Sequence, residues 1–351
     1  DAKSAKRIQS RYFSGRIVLS SLEVVFWSED GQRVATAVMK YFAQATKRLL
    51  DHRSGGELSS LSKLNLKTSA RIIAGLRAMG DQDAGRTVRR SDGSLIRIDR
   101  SHDRVAAGTH GLLQARRLKK VLPQLATMVH ARTQNCDDTV KAVSGIEQLV
   151  LLGAGLDMRP VRLADHLSGV TVFELDLPVM LAERQQAIER WEKELGTVAK
   201  APERHQISVD FLVDDVGNRL NEHFAFSDTA LTLVIYEGCS MYFDEQQNQR
   251  ILIAVRKRLK HPESRLWMDY VTPAVISSET SDPNIHEFVD RMELIGERFV
   301  YGPPDVEVFL ESCGFRCSAD ITAGDYLVCD DPTLSEYRFV TGQRDVTDLG
   351  Q

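Results

Sequence analysis

The chain has 351 residues, 42% of them hydrophobic and 27% charged, with a formal net charge of −4. That composition is ordinary for a globular chain and leaves room for one large core, or one core with an appended domain. No run approaches the ~18 consecutive apolar residues that span a bilayer; "RIVLSSLEVVFW" (16–27) is too short and too polar, so no membrane partner is expected. Charge is unevenly spread: residues 1–120 carry 24 Lys+Arg against 11 Asp+Glu, and residues 121–351 carry 21 against 38. Such a basic segment either meets an anionic ligand or nucleic acid, or lies against an acidic body in its own chain or in a partner subunit. The second reading is favoured, because aromatic residues do not interleave the basic run as single-strand readers require. Nucleic acid stays open without being the expected partner, and so does a homodimer. The five cysteines are scattered and no Cys-x-x-Cys occurs. Reduced thiols, no metal and a cytoplasmic location are the expectation.

In chain order, "VATAVMKYFAQATKRLL" (34–50) has a helical apolar spacing, "DHRSGGELSS" (51–60) reads as a turn-rich linker, and 66–80 reads as a helix ending at Gly80. Residues 81–103 are polar, with Asp92-Gly93 as a hairpin signal, and helical patterns resume at about 111–144. From 147 short apolar runs alternate with amphipathic stretches. Strands are predicted at 148–152, 170–175, 205–209, 230–236 and 265–271, with helices at about 178–195, 244–260, 282–296 and 303–315. Two late runs, 316–322 and 337–342, can close the sheet. This alternation predicts an α/β fold: a mostly parallel sheet wrapped by helices, with its ligand at the carboxyl ends of the strands.

The first strand runs into "LLGAGLDMRP" (151–160), which places Gly153, Ala154, Gly155 and Asp157 at that end. A dinucleotide fingerprint would need a third glycine where Met158 stands, and Asp157 would repel a pyrophosphate. S-adenosyl-L-methionine, phosphate-free and cationic at sulfur, suits the bend better. It needs an acid one strand later for its ribose, and "TVFELDLP" (171–178) offers Glu174 and Asp176, the latter 21 residues after Gly155. The third strand ends in Asp210 and Phe211, suited to an adenine amino group and ring face, or to a solvated loop and a core. Glu237 follows four apolar residues directly, an expensive place for a carboxylate without a cation. The ammonium end of the cofactor or a buried Arg or Lys would supply one.

The segments "LVLLGAGLDMRPVRL", "VFELDLPVM", "IYEGCSMYFDEQQNQRIL" and "GERFVYGPPDVEVFLESCGF" resemble the leucine carboxyl methyltransferase family, and are closest to its bacterial branch, that of the tetracenomycin polyketide carboxyl methyltransferase. The resemblance implies a class I methyltransferase (Rossmann-like) fold: a seven-stranded sheet whose last strand pairs antiparallel, with an N-terminal helical lid. It divides the chain into an extension of open role (1–60), a helical lid or cap (61–146) and a cofactor-binding methyltransferase domain (147–351). It further implies that Gly153 touches the methionine part of S-adenosyl-L-methionine, Asp176 the ribose, Asp210 and Phe211 the adenine, and Glu237 the methionine amine. Arg132, in "ARTQ", and Lys67 would pair with the methionine carboxylate.

A carboxylate acceptor is already ionised at pH 7 and needs desolvation rather than a base, whereas a hydroxyl needs one. Tyr242, five residues past Glu237, and His286, in a stretch read as a lid helix, are the candidates for contact with the acceptor. The reading is an O-methyltransferase acting on a carboxylate, or a hydroxyl, of a small organic acid or polyketide-like natural product, with the product S-adenosyl-L-homocysteine. A protein C-terminus or tRNA as acceptor, and a non-catalytic cofactor-binding partner protein, stay as alternatives.

Overall fold

The computed structural model describes residues 58–79, 101–195, 201–276, 282–294 and 299–345. The expectations for 1–57, and for a hairpin at Asp92-Gly93, lie outside the described residues. Ser60–Asp290 together with Arg298–Gln351 forms one compact unit, and the sheet and the site lie in it.

Seven strands, β1 (Gln148–Leu152), β2 (Thr171–Asp176), β3 (Glu203–Ser208), β4 (Thr232–Tyr236), β5 (Arg265–Val271), β6 (Phe315–Thr322) and β7 (Tyr337–Arg344), form one sheet in the order β3-β2-β1-β4-β5-β7-β6. The first five pair in parallel; β7 is antiparallel to both β5 and β6. β1 and β4 are buried at every residue, which is why they read as unbroken apolar runs rather than alternating ones. The order reverses at β1, so the crevice at the carboxyl ends opens beside Gly153. This is the α/β, seven-stranded, Rossmann-like fold expected of the chain.

The long helices are α1 (Leu58–Met79), α2 (Ser101–Val121), α3 (Pro123–Ala142), α4 (Pro178–Leu195), α5 (Glu245–Arg256), α6 (Pro283–Leu294) and α7 (Val306–Ser312). Local chemistry sets their starts. Pro178 opens α4, where a missing N–H costs nothing. Asp244 and Gln247 close a capping box on α5, and Asp305 accepts from two N–H groups of α7. One face of the sheet packs Val150, Leu152, Phe173 and Tyr236 against Ile251, Leu252 and Val255 of α5 and Phe309 and Leu310 of α7. Beside the opposite face lies a second cluster, of Ala74, Ala106, Ala107, Leu156, Met158, Ile188 and Trp191, contributed by α1, α2, the glycine bend and α4. α3 lies on β5 and β7, where the Trp267 indole donates to Asn135 at 2.8 Å.

Two helix starts differ most from the sequence reading, and the helices read at about 244–260 and 303–315 are shorter than predicted. α1 begins at Leu58, inside the stretch read as a linker, and α2 begins at Ser101, ten residues before the predicted restart. α2 also breaks at Gly108, whose φ of 62° and ψ of 176° are open to glycine alone. α1 and α2 cross through facing glycines. A Cβ on Gly75 would stand 2.7 Å from Gly111 O, and one on Gly111 2.6 Å from Arg71 O. Gly75→Ala should therefore force the helices apart and destabilise the protein by about 1–3 kcal/mol, read as a lower denaturant midpoint at unchanged slope.

Candidate functional site

The glycine bend is built from both sides. Gly153 and Gly155 have φ of +73° and +44°. A Cβ on Gly153 would collide with Cys239 Sγ and lie 3.8 Å from the Phe211 ring. The bend thus needs glycine for its backbone angle and for the close approach of the loops after β3 and β4. The N–H groups of Gly153 and Ala154 donate to Leu175 O at 2.9 and 3.0 Å, tying the bend to β2. Ala154 is buried and offers only backbone.

Asp176 ends β2 beside this bend. Its Oδ2 accepts from Gly155 N and its Oδ1 from Leu177 N, each at 2.7 Å. Each oxygen keeps a second lone pair. Burial pushes the carboxyl up in spite of these two bonds. It forms no ion pair among the described residues, unlike Glu174 two residues earlier.

Glu174 is fully buried and held by Arg184 at 2.7 Å and Arg204 at 3.3 Å. It fastens β2 to α4 and β3, and its carboxylate, expected beside the cofactor, is engaged in these ion pairs. Asp157 is ion-paired as well. It accepts from Arg159 N at 2.8 Å and from the Arg159 guanidinium at 2.6 Å. Neutralised by Arg159, Asp157 does not exclude a phosphate by its charge. The exclusion has another cause. The N–H groups of Gly155, Asp157, Arg159, Val161 and Arg162 are all engaged within the protein and Pro160 has none, so the bend presents no row of free donors to a pyrophosphate.

Glu237, directly after β4, is the centre of the charge network. Its Oε1 accepts from Arg77 at 2.5 Å and Arg132 at 2.8 Å, and its Oε2 from Arg159. Burial would push this carboxyl up, but the guanidiniums of Arg159, Arg77 and Arg132 outweigh it and hold it well below the usual range. The buried salt bridge weighed for Glu237 is therefore present, threefold. Arg132 also reaches Asp269 at 3.5 Å and the Tyr337 hydroxyl at 3.0 Å, and Asp269 accepts from Gly238 N at 2.6 Å. Arg159, 0% exposed, spans Asp137 of α3, Asp157 of the bend and Glu237 of the β4 loop.

Lys67 does not join this network. It lies 3.7 Å from Glu183 of α4, which Arg71 also binds. Arg77, ten residues further along α1, is the cation that reaches Glu237. Asp210 and Phe211 follow β3 as expected: Asp210 Oδ1 accepts from Leu212 N at 3.0 Å, and Phe211 is buried against the bend. Tyr242 sits on a 3₁₀ turn (Ser240–Tyr242), 42% exposed, its ring edge-on to Phe299 at 5.6 Å. Val300 N bonds Met241 O at 2.8 Å, holding the Phe299–Tyr301 segment against this turn. His286 is half-buried on α6, and no hydrogen bond links it to Tyr242 or Glu237. Sequence reasoning missed Arg77, Arg159 and Asp269. Arg159 carries one local signal, a lone charge between Met158 and Pro160 where the chain is otherwise turning inward.

The family model described as Leucine carboxyl methyltransferase matches residues 72–256. A Parafrankia sp. (strain EAN1pec) protein provisionally named an S-adenosyl-L-methionine-dependent methyltransferase is 32% identical over 178 residues, 48% of this chain and 54% of that protein. A similarly named Mycobacterium avium (strain 104) protein is 34% identical over 173 residues, 49% and 50% of the two chains. The chain spans about half the length of these curated relatives. Among solved structures, a DUF574 family protein from Streptomyces avermitilis superposes with a TM-score of 0.48 at 16% identity, over 70% of this chain and 96% of that one.

Arg159→Met should remove the bridge while leaving Asp137, Asp157 and Glu237 buried around an apolar side chain. A loss of about 3–5 kcal/mol in urea denaturation at pH 7 is expected.

Proposed function

The chain belongs to the leucine carboxyl methyltransferase family, and from that premise we propose that it is an S-adenosyl-L-methionine-dependent O-methyltransferase whose acceptor is a carboxylate of a small organic acid or polyketide-like natural product. The observation that carries the cofactor reading is Asp176. It is a half-buried carboxylate at the switch point, anchored by two backbone N–H groups and left without an ion pair among the described residues. Two ribose hydroxyls would complete its hydrogen bonding. Phosphate would not, since the bend offers no free N–H row.

The remaining residues fit the other parts of the group. Asp210 and Phe211 stand where an adenine would be edged and covered. Glu237, neutralised by three guanidiniums, keeps one lone pair on Oε2 for an ammonium N–H, and Arg132, already oriented by Glu237, Asp269 and Tyr337, suits a carboxylate. Held by these residues, S-adenosyl-L-methionine would supply an electrophilic methyl group on positive sulfur for transfer to an acceptor oxygen. What the protein contributes is alignment to about 3 Å and exclusion of water.

The first three strand ends are claimed by the nucleoside, so the acceptor enters from the side of β4 and β5. There Tyr242 and Phe299 offer an apolar rim rather than a base. A carboxylate acceptor matches that chemistry, because it needs no proton removed. Tyr242 and His286 are retained as the side chains to test for acceptor contact.

Asp176→Ala should weaken S-adenosyl-L-homocysteine by about tenfold or more in calorimetry, about what losing a charge-assisted hydrogen bond costs, with an unchanged circular dichroism spectrum. Equal affinity in a folded variant would remove the cofactor reading. Transfer of a tritiated methyl group into an extract, followed by mild base, tests the acceptor: label released by base means an ester, and label that resists means an ether or amine.

A further inference from the structure

The charge network extends past Glu237 to a carboxyl that the reaction does not use. Asp103 lies in the first stretch of α2, before the break at Gly108, and is 1% exposed. Among the described residues its Oδ2 meets no hydrogen-bond donor. The charged groups facing it are Arg77 from α1, Asp137 from α3, and Asp157 and Arg162 from the glycine bend and the short helix after it. On its own segment His102 is stacked on Trp191 of α4, and Arg104 is exposed. Arg77 is shared: it faces Asp103 and also binds Glu237 at 2.5 Å.

Counting the connected groups decides what Asp103 can do. Four guanidiniums, Arg77, Arg132, Arg159 and Arg162, face five carboxyls, Asp103, Asp137, Asp157, Glu237 and Asp269. Fully ionised, the network has one negative charge in excess. Asp137 and Glu237 are held low by their arginines after burial is overcome, and Asp157 is paired with Arg159. Burial pushes up both remaining carboxyls, but Asp269 is bonded by Gly238 N, the Tyr337 hydroxyl and Arg132, whereas Asp103 Oδ2 meets no donor among the described residues. In Asp103 burial outweighs Arg162 and Arg77, with Asp157 and Asp137 adding to it, and its carboxyl is pushed up to about 6. Of the five, Asp103 is thus the carboxyl least held in its ionised form by partners, and its ionisation completes the network's negative excess.

We propose that Asp103 is a proton-linked positioning residue of the cofactor site, which supplies the network's unbalanced negative charge and gives up its proton when a cationic cofactor enters. This rests on the cofactor reading above. S-adenosyl-L-methionine brings an ammonium, a carboxylate and a sulfonium, a net positive charge; S-adenosyl-L-homocysteine lacks only the sulfonium. A net cation favours ionised Asp103, and a neutral ligand has no such preference. The sign follows from linkage: a ligand that lowers the carboxyl's pKa binds more tightly as pH rises through 6 and expels a proton in doing so. The device gives the site a preference for substrate over product that weakens in acid.

The test is calorimetry with both nucleosides between pH 5 and 7.5, repeated in two buffers of different ionisation enthalpy. For the wild-type chain, affinity for S-adenosyl-L-methionine should rise about threefold to tenfold across that range, more than for S-adenosyl-L-homocysteine, as a single charge interaction at partly screened distance allows. Proton release should be largest near pH 6. Asp103→Asn should abolish the difference between the ligands and bind S-adenosyl-L-methionine at pH 7.5 as the wild type does at pH 5. Asp103→Glu, which keeps a titrating group, should retain the difference. Asp176 and Asp269 are also pushed up by burial, and any contribution from them would survive in Asp103→Asn. Parallel pH slopes for the two ligands in the wild type, or a ligand difference that persists in Asp103→Asn, would overturn the proposal while leaving the cofactor reading intact. A wild type that binds neither nucleoside at any pH would remove both.

Discussion

The structure depends on one fully buried guanidinium. Arg159 takes Asp137 from a helix, Asp157 from its own turn and Glu237 from the loop after a central strand. Taking such a charge out of water costs several kcal/mol before any partner is met. The cost is offset only when all three acceptors are held in place, which requires α3, the glycine bend and the β4 loop to be docked together. The result is a site whose walls are fixed to each other electrostatically rather than by apolar contact alone. The same geometry explains why Asp176 stands out: the acids around it, Glu174, Asp157 and Glu237, are all ion-paired, and Asp176 has no ion pair among the described residues.

The fold was legible because parallel strands buried on both faces leave unbroken apolar runs. "QLVLL" and "TLVIY" are such runs, and α4 was bounded at both ends by Pro178 and the loss of apolar periodicity after Leu195. The starts of α1 and α2 were not legible. Ser, Gly and Arg at 51–60 and 101–104 carry no periodicity, and what holds α1 to α2 is a glycine crossing that sequence cannot distinguish from two turns.

In the site, acids at strand ends were found from the residues themselves, Arg132 on a helix face was found only through the family resemblance, and Asp269 inside β5 was missed. Asp176, Asp210 and Glu237 each follow an apolar run, so their depth could be inferred. Arg77 and Asp103 sit among ordinary helical charges, and only tertiary packing turns those faces inward. Glu174 and Asp176 share one face of β2 by the two-residue period of a strand. Only the depth of Arg184 separates the structural acid from the open one. The basic first third of the chain is partly accounted for: Lys67 and Arg71 meet Glu183, and Arg77 meets Glu237, both in the acidic body.

The position of β7 inside the sheet bears on the order in which the site is assembled. Among the described residues β6 pairs with no strand other than β7, and Tyr337 at the start of β7 donates to Asp269, which in turn steadies Arg132. During synthesis the five parallel strands emerge first and can dock, but β6 stays without a neighbour until the strand after it arrives. The nascent chain therefore acquires the glycine bend and Asp176 early and the full set of partners around Arg132 late. The geometry around Arg132 is thereby coupled to completion of the sheet.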